Sequence, residues 1–268
     1  MENYVHGYSE QETARLRDQA ATLARLLYGD LQYPAGSMVL EAGCGAGCQT
    51  VFLAAAHPEV QFVSMDISAT SLHTAQQAIA AQGLSNVRLQ QGDIVEPPFA
   101  DRTFDHLFVC FVLEHLADPA GALQRLRRLL KPGGTITVIE GDHGSFYCHP
   151  ETAEARRTVD CLVQLQAGMG GDSLIGRRLY PLLVEAGFAQ PQVEPRMVYV
   201  DGSRPDLIEG FARNTFIAMV RGVREQAIGQ GMIDAAAWDQ GVRDLEQAAT
   251  TGGTFCYTFF RAGAKCGD

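Results

Sequence analysis

Apolar and polar positions divide this chain into short buried runs and longer segments of helical period. Five runs predict strands, at 38–41, 60–66, 86–90, 104–111 and 135–140, because apolar stretches of this length are typical of strands buried in a sheet. Between them, apolar residues recur at helical spacing, and short polar joins separate the elements. Strands that alternate with helices in this way predict an α/β fold with a doubly wound, mostly parallel sheet.

Further elements lie before and after this alternation. A capping box at Ser9 and Glu12 predicts the start of an amphipathic helix that reaches about Tyr28. The aromatic residues that lead into this helix either pack on the core or cover a ligand. The elements expected after the fifth strand are, in order, a polar and aromatic loop at 141–150, helices at 151–167 and 176–186, a sixth strand at 193–200, a largely helical stretch at 203–250 and a last strand at 254–262 that pairs with the sixth.

Charge and composition limit the classes of partner that this protein can bind. The net charge is −10 with only 21 Lys and Arg, so the overall field repels a phosphate backbone and we expect no nucleic-acid partner. The apolar runs are too short to cross a bilayer, and no basic segment followed by an apolar one is visible at the N-terminus. We therefore expect a cytoplasmic protein, a monomer or a homodimer, that does not associate with membranes.

The cysteines favour free thiols. Seven are scattered along the chain and none forms a C-x-x-C pair, a pattern typical of a reducing compartment rather than of disulfides or structural zinc. Cys148 and His149 lie close to His143 in the sequence, but their spacing matches no familiar ligand set. We therefore predict no metal site.

A glycine turn follows the first strand. Glu41 ends the apolar run, Gly43, Gly45 and Gly47 occupy every second position, and a helical pattern resumes directly afterwards. A strand, a glycine turn and a helix in this order are typical of nucleotide sites in α/β sheets. Asp66 lies 19 residues beyond Gly47, at the tip of the second predicted strand, where a carboxylate holds a ribose diol.

The spacing of the glycines argues against a nicotinamide dinucleotide. Such a site uses G-x-G-x-x-G, with helix N–H groups open to a pyrophosphate. Here the spacing is G-x-G-x-G, preceded by Glu41. A carboxylate beside the turn repels phosphates and suits an ammonium group.

Five motifs between about 37 and 140 together resemble the class I S-adenosylmethionine (SAM)-dependent methyltransferases, and their overall pattern is similar to the ubiquinone/menaquinone-biosynthesis-like branch of that superfamily. The motifs are Glu41-x-Gly43-x-Gly45-x-Gly47, Asp66, Gly92-Asp93, Leu113-Glu114-His115 and Leu130-Lys131-Pro132-Gly133-Gly134. The resemblance implies SAM as cofactor and a Rossmann-like seven-stranded sheet, mostly parallel with an antiparallel last strand, plus a helical lid. It divides the chain into an N-terminal lid segment and helix (1–36), a SAM-binding core (37–202), a helical insertion that shapes the substrate pocket (203–252) and a last strand with its tail (253–268).

The resemblance also implies roles for individual residues. Asp66 binds the ribose hydroxyls, Asp93 accepts from the adenine amine, and Glu41 orients the turn and the amino group of SAM. His115 fits a family signature, and an equally good alternative is that it ties its own turn to the sheet. The complete set of expected SAM contacts is Tyr8, Glu41, Gly43, Gly45, Gly47, Asp66, Ile67, Gly92, Asp93, Ile94, Cys110, Phe111 and His115.

Methyl transfer from a sulfonium is an in-line displacement, so it needs alignment and exclusion of water rather than a nucleophilic side chain. A base is required only when the acceptor keeps a proton. His143, flanked by Asp142 and Gly144, is the candidate base, or else a hydrogen-bonded loop residue, and Tyr8 and Tyr180 are further catalytic candidates. The residues expected to line the pocket of a small-molecule acceptor are Tyr8, His143, Phe146, Tyr180, Asn214, Phe216 and Tyr257.

Two other functions stay open. The amine of SAM could attack its own γ-carbon and give azetidine-2-carboxylate and methylthioadenosine, with aromatic support for the sulfonium from Tyr4, Tyr8, Tyr180 and Tyr257. Alternatively, the protein binds SAM without turning it over. The sequence leaves the acceptor and its reacting atom undetermined.

Overall fold

The computed structural model describes residues 22–267. This part of the chain forms two compact units. The first, called the sheet unit here, contains residues 24–140, 175–195 and 260–267; the second, the helix-rich unit, contains 22–23, 141–174 and 196–259. The region boundaries expected from the sequence, at 36, 202 and 252, stay a prediction.

A seven-stranded sheet organises the fold. Its strands are β1 (Met38–Ala42), β2 (Gln61–Asp66), β3 (Val87–Gln91), β4 (Phe104–Cys110), β5 (Leu130–His149), β6 (Ala189–Val200) and β7 (Thr254–Lys265). They lie in the order β3-β2-β1-β4-β5-β7-β6. The pairs β1/β2, β1/β4, β2/β3 and β4/β5 are parallel. The Rossmann-like, mostly parallel sheet expected from the sequence is confirmed.

Apolar strands bury both faces of the sheet unit. Leu107, Phe108 and Val109 in β4 are fully buried, as are Val39 and Leu40 in β1. Burial on both faces explains why these strands read as continuous apolar runs rather than as alternating ones. The hydrophobic effect therefore stabilises the sheet. The polar side chains of the candidate site lie where the strands end.

The helices begin where the sequence places their caps. They are α1 (described over 22–27), α2 (Cys48–Ala56), α3 (Ala69–Ala81), α4 (Pro119–Leu129), α5 (Ala153–Gly168), α6 (Leu179–Glu185), α7 (Pro205–Leu207), α8 (Ala218–Gly222), α9 (Arg224–Gly229) and α10 (Ala235–Ala248). Ser68 caps α3 by accepting from the Ser71 amide, and Asp118 caps α4 by accepting from the Gly121 amide. No helix within 22–267 is long and apolar enough to cross a membrane.

The helix-rich unit contains a π-helix at Ile208–Ile217. Its i→i+5 repeat brings residues five apart onto one side. Phe211 and Phe216 accordingly both contact Phe255, with ring centroids 5.8 and 5.0 Å away, and both contact Tyr257, at 5.7 and 5.6 Å. The π-helix thus completes an aromatic core in this unit.

The predicted loop at 141–150 is wrong, because β5 continues as a strand to His149. Along it Phe146 and Cys148 are buried and Tyr147 is exposed, which is the alternation of a strand with one covered face. Contacts with β7 hold it in place: the Thr258 amide donates to Ser145 Oγ at 2.8 Å. Pairing with a strand more than a hundred residues away carries no local signal, and the polar residues and glycines suggested a loop instead.

Candidate functional site

The candidate site begins at the edge of the sheet unit where its parallel strands end. Ala42 in β1 lies beside Met65 in β2, so the turn after β1 starts next to the end of β2. The Met65 carbonyl accepts hydrogen bonds from the amides of Gly43 and Cys44, at 2.8 and 2.9 Å. The glycine turn is therefore fastened to the neighbouring strand before α2 begins.

Two glycines in this turn have different roles. Gly43 has φ +85°, and a Cβ at this position would lie 2.3 Å from Cγ2 of Val112. Gly45 has φ +52°, and its Cβ would meet nothing within 4 Å in the described chain. Gly43 is thus required by packing within the protein, whereas Gly45 leaves space beside the backbone that a ligand can occupy.

Asp66 joins the glycine turn to the end of β2. Its Oδ2 accepts from the Gly45 amide at 2.8 Å, and its Oδ1 accepts from the Ser68 amide at 2.9 Å. A carboxylate oxygen has more than one acceptor site, so an oxygen that accepts from a backbone amide can also accept from a second donor. The next side chain, Ile67, is 47% exposed and presents apolar surface beside the carboxylate.

Glu41 lies beneath the turn and is buried. Its Oε2 accepts from Thr50 Oγ1 at 2.5 Å and from Ser64 Oγ at 2.7 Å. Burial, with a smaller contribution from the nearby charge of Asp66, raises the pKa of Glu41 to about 7 against the lowering effect of these two hydrogen bonds. The carboxyl group is therefore poised between its two protonation states near neutral pH, and a cationic group bound nearby would favour its charged form.

The turn after β3 lies at the same edge. The Gly92 amide donates to the Asp66 carbonyl at 3.1 Å, and Oδ1 of Asp93 accepts from the Val95 amide at 2.9 Å. Ile94, one of the expected SAM contacts, is only 7% exposed and belongs to the apolar core. Val95 is 38% exposed, so the outward apolar surface of this turn comes from the neighbour of the predicted residue.

The end of β4 contains a strained residue. Cys110 is buried, and Phe111 has φ +58°, a left-handed conformation that is costly for a bulky side chain. The Phe111 amide donates to the Ile139 carbonyl of β5 at 2.9 Å. Cys110 and Phe111 are among the SAM contacts implied by the resemblance, and this role stays a prediction. The strain at Phe111 has no sequence signal.

Glu140, on β5, is a further polar residue of this edge that the motif analysis missed. It is fully buried, and its Oε1 accepts from the amides of Val112 and Leu113, at 3.0 and 2.7 Å. Burial and the nearby charge of Glu114 raise the pKa of Glu140 well above its usual range. An acidic residue that ends an apolar strand was the available signal, the same signal that pointed to Glu41.

His115 belongs to the short 3₁₀ helix Leu113–His115 that follows β4. Its Nε2 lies 3.5 Å from Oε1 of Glu114, and both side chains are partly exposed. This ion pair is formed only when the imidazole is protonated. The contact with Glu114 lies within one turn, and both the structural alternative for His115 and its expected contact with SAM stay predictions.

The catalytic candidates are not gathered in one unit. His143 is buried in the helix-rich unit, where its Nδ1 lies 2.7 Å from Oη of Tyr257, at hydrogen-bonding distance. Tyr180 lies on α6 of the sheet unit and is 55% exposed. Tyr8, like Tyr4, lies outside the described residues, so its expected roles are not addressed by the structure. Within 22–267 no three His, Cys, Asp or Glu side chains form a cluster that could hold a metal ion.

The remaining acceptor-pocket candidates divide by exposure. Phe146, Phe216 and Tyr257 are buried in the aromatic core of the helix-rich unit, with the rings of Phe146 and Phe216 stacked at 5.1 Å. Phe216 also contacts the His143 ring at 5.9 Å. Asn214, on the same π-helix, is exposed. Because the three rings are buried, they pack the core of this unit. Their expected part in acceptor binding stays a prediction.

Comparison with known proteins finds similarity to methyltransferases. Residues 40–138 match the methyltransferase domain family. The chain is 32% identical over 227 residues to a 37.1 kDa protein of transposon Tn4556 from Streptomyces fradiae, covering 82% of this chain and 61% of that protein. It is 28% identical over 240 residues to 27-O-demethylrifamycin SV methyltransferase from Amycolatopsis mediterranei, covering 89% and 81%. The chain thus spans about three fifths of the length of the transposon protein.

A solved structure shares the fold across almost the whole chain. The [4+2]-cyclase SpnF superposes with a TM-score of 0.56 at 20% identity, covering 99% of this chain and 86% of that one. At this identity the likeness concerns the fold alone.

Proposed function

We propose that this protein, whose residues 40–138 match the methyltransferase domain family, transfers the methyl group of SAM to a small-molecule acceptor. One observation carries the proposal. The Gly45 amide donates to the Asp66 carboxylate at 2.8 Å, and apart from its two chain neighbours none of the residues described by the structure lies within 4 Å of a Cβ position at Gly45. Both features lie at the edge where parallel strands of a Rossmann-like sheet end, which is where such sheets receive nucleosides.

The residues of this edge supply complementary chemistry for each part of SAM. The Asp66 carboxylate, whose oxygens can each accept from more than one donor, suits the ribose hydroxyls, and the exposed side chain of Ile67 suits a face of the adenine. Glu41, whose pKa burial raises to about 7, becomes charged most readily next to a cation, and the methionyl ammonium supplies one. Asp93, Gly92, Gly43, Gly47 and the backbone at Cys110 and Phe111 complete the proposed SAM contacts.

Methyl transfer then needs the acceptor in line with the sulfonium and shielded from water. His143 is the proposed base for acceptors that keep a proton, and its contact with Tyr257 Oη would fix the orientation of the imidazole ring. A relative named as a methyltransferase of 27-O-demethylrifamycin SV supports a small molecule as acceptor. A cytoplasmic location, and the absence of nucleic-acid and membrane partners, stay predictions.

One structural neighbour shows why turnover has to be tested. SpnF, named as a [4+2]-cyclase, has this fold, so the fold by itself does not decide between methyl transfer, cyclisation of SAM and binding without reaction. Purified protein should be incubated with SAM alone and with a pool of small hydroxyl, amine and carbon acceptors. Mass spectrometry then identifies the nucleoside product.

The outcomes separate the three functions. The expected result is S-adenosylhomocysteine that forms only when acceptor is present. The acceptor should then be 14 mass units heavier, because it loses one hydrogen and gains a methyl group. Methylthioadenosine formed without acceptor would indicate that the protein cyclises SAM instead of transferring its methyl group. SAM that is bound but unchanged in both incubations would indicate a binding protein.

A further inference from the structure

Glu140 connects β5 to the turn that follows β4, entirely within the sheet unit. It is fully buried, and one oxygen, Oε1, accepts from two successive amides, those of Val112 and Leu113. Two short hydrogen bonds to one oxygen define the position of a turn more tightly than one bond would, because the two N–H vectors must converge. Glu140 therefore sets the path of the chain at 112–113.

This path matters because Val112 touches the glycine turn. The closest approach to a Cβ built on Gly43 comes from Val112 Cγ2, at 2.3 Å, with Cγ1 at 3.1 Å. Val112 thus lies directly on the Gly43 backbone, in space that is free only because the residue is glycine. A shift of the 112–113 turn would withdraw this support from the Gly43 side of the turn.

The residue before Val112 adds a second reason for such a clamp. Phe111 holds a left-handed φ of +58°, which a phenylalanine adopts only when surrounding contacts impose it. Its amide is bonded to Ile139, the residue next to Glu140 on β5. The strained backbone is consequently held on both sides by consecutive residues of one strand.

We infer that Glu140 is a positioning residue for SAM: its carboxyl holds the 111–113 turn so that Val112 supports the Gly43 side of the glycine turn. The inference rests on the proposed function, since it concerns the same cofactor site. Glu140 itself is fully buried, and we assign it no contact with the reacting atoms.

The chemistry of Glu140 provides a conservative variant. Its second oxygen, Oε2, is buried without a hydrogen-bond partner among the described residues. The acidic and thiol side chains of Glu114 and Cys110 lie near it. These surroundings favour the neutral acid, which glutamine resembles in shape and charge. E140Q keeps an Oε1 acceptor for both amides, whereas E140D draws the carboxyl back by one methylene and E140L removes it.

Asn86 offers a matched control in the same unit. It is also buried and also fastens backbone, donating from Nδ2 to the carbonyls of Ala54, His57 and Val60 at 3.0–3.1 Å. It precedes β3, at the edge where strands begin, so it lies at the opposite end from the glycine turn. N86L removes comparable buried hydrogen bonds without touching the proposed cofactor site.

The experiment compares SAM affinity with thermal stability in these variants. Isothermal titration calorimetry gives the SAM dissociation constant at a temperature where each variant is folded, and differential scanning fluorimetry gives Tm. We expect E140L and E140D to bind SAM at least about tenfold more weakly, and E140Q and N86L to stay within about threefold of wild type, although N86L melts earlier. If E140L does not fold, the contrast between E140D and E140Q decides.

Three results would count against the inference, and they differ from failure of the proposed function. Wild-type affinity in E140D, or equal weakening in N86L and E140D, would mean that Glu140 acts on stability alone. Weakening in E140Q as large as in E140D would show that the two accepted amides are not what matters. Absence of SAM binding in the wild type would instead overturn the proposed function and remove the basis of the inference with it.

Discussion

Substitution of the first glycine of the turn by alanine tests the packing at the glycine edge. In G43A the alanine must adopt the backbone φ of +85° that glycine has here, and its Cβ lies only 2.3 Å from Cγ2 of Val112. Valine is stiff at χ1, so its methyl groups do not turn aside without strain. G45A is the matched control, since it also has a positive φ, +52°, but an open Cβ position in the described chain.

The two variants should differ by the overpacking energy. A left-handed alanine costs about 1–2 kcal/mol at either position, and overpacking adds about 1–3 kcal/mol at Gly43 only. We therefore expect the free energy of unfolding of G43A to fall about 1–3 kcal/mol further than that of G45A. G45A should instead weaken SAM binding more than it weakens folding, because its methyl group projects into the proposed ligand space.

Urea unfolding followed by circular dichroism measures the free energies of unfolding of G43A and G45A, provided that the m-values of the two variants agree. The double variant G43A/V112A completes a mutant cycle. With Val112 truncated, the remaining distance from the new Cβ to the Cβ of residue 112 is 3.3 Å, so the clash is largely relieved. We expect a coupling energy of about 1–3 kcal/mol between the two sites. Equal destabilisation in G43A and G45A, or a coupling energy near zero, would refute the packing argument.

Three further predictions concern charge and hydrogen bonding. D66A should weaken SAM binding at least about tenfold in calorimetry, while D101A, which removes an exposed ion pair, should not; unchanged affinity in D66A would contradict the ribose assignment. Burial raises the pKa of Glu41 from 4.5 to about 7, so the folded state binds more protons than the unfolded state in that interval, and stability falls as pH rises through it. In urea unfolding between pH 4.5 and 8, wild type should lose stability relative to E41Q up to about pH 7 and no further; a constant difference would disprove the shift. Y257F removes the contact with His143 Nδ1 and should cost about 1 kcal/mol of stability; if His143 is the base, kcat should fall and its pH profile should shift, whereas kcat equal to wild type would argue against that role.

The order of the elements was predictable because its signals are local. Ser68 and Asp118 cap α3 and α4 through bonds that span three residues, and cap chemistry of this range is visible in the sequence. The strands of the sheet interior are buried on both faces and therefore carry continuous apolar runs. The glycine spacing and the acids Glu41 and Asp66 likewise stand within or directly after their strands.

The candidate site was predictable only in part. The sequence placed Asp66 at the end of β2, but the bond from the Gly45 amide depends on which strands are neighbours. Ile94 was expected at the ligand because it follows Asp93, yet in the turn between Asp93 and Glu96 it is buried in the core and Val95 is exposed. His143 was expected in a loop, and pairing of β5 with β7 made it a buried residue of a strand.

The sequence by itself therefore determined the class of fold, the glycine turn and the acids that surround it, since periodicity, caps and turn chemistry act over a few residues. Only the tertiary structure decided that Phe111 is left-handed, that Glu140 holds the 112–113 turn and that Val112 lies on Gly43. Glu140 lies 27 residues beyond Leu113, whose amide it accepts from. Contacts of this range arise from strand order and close packing, which no short segment of the sequence encodes.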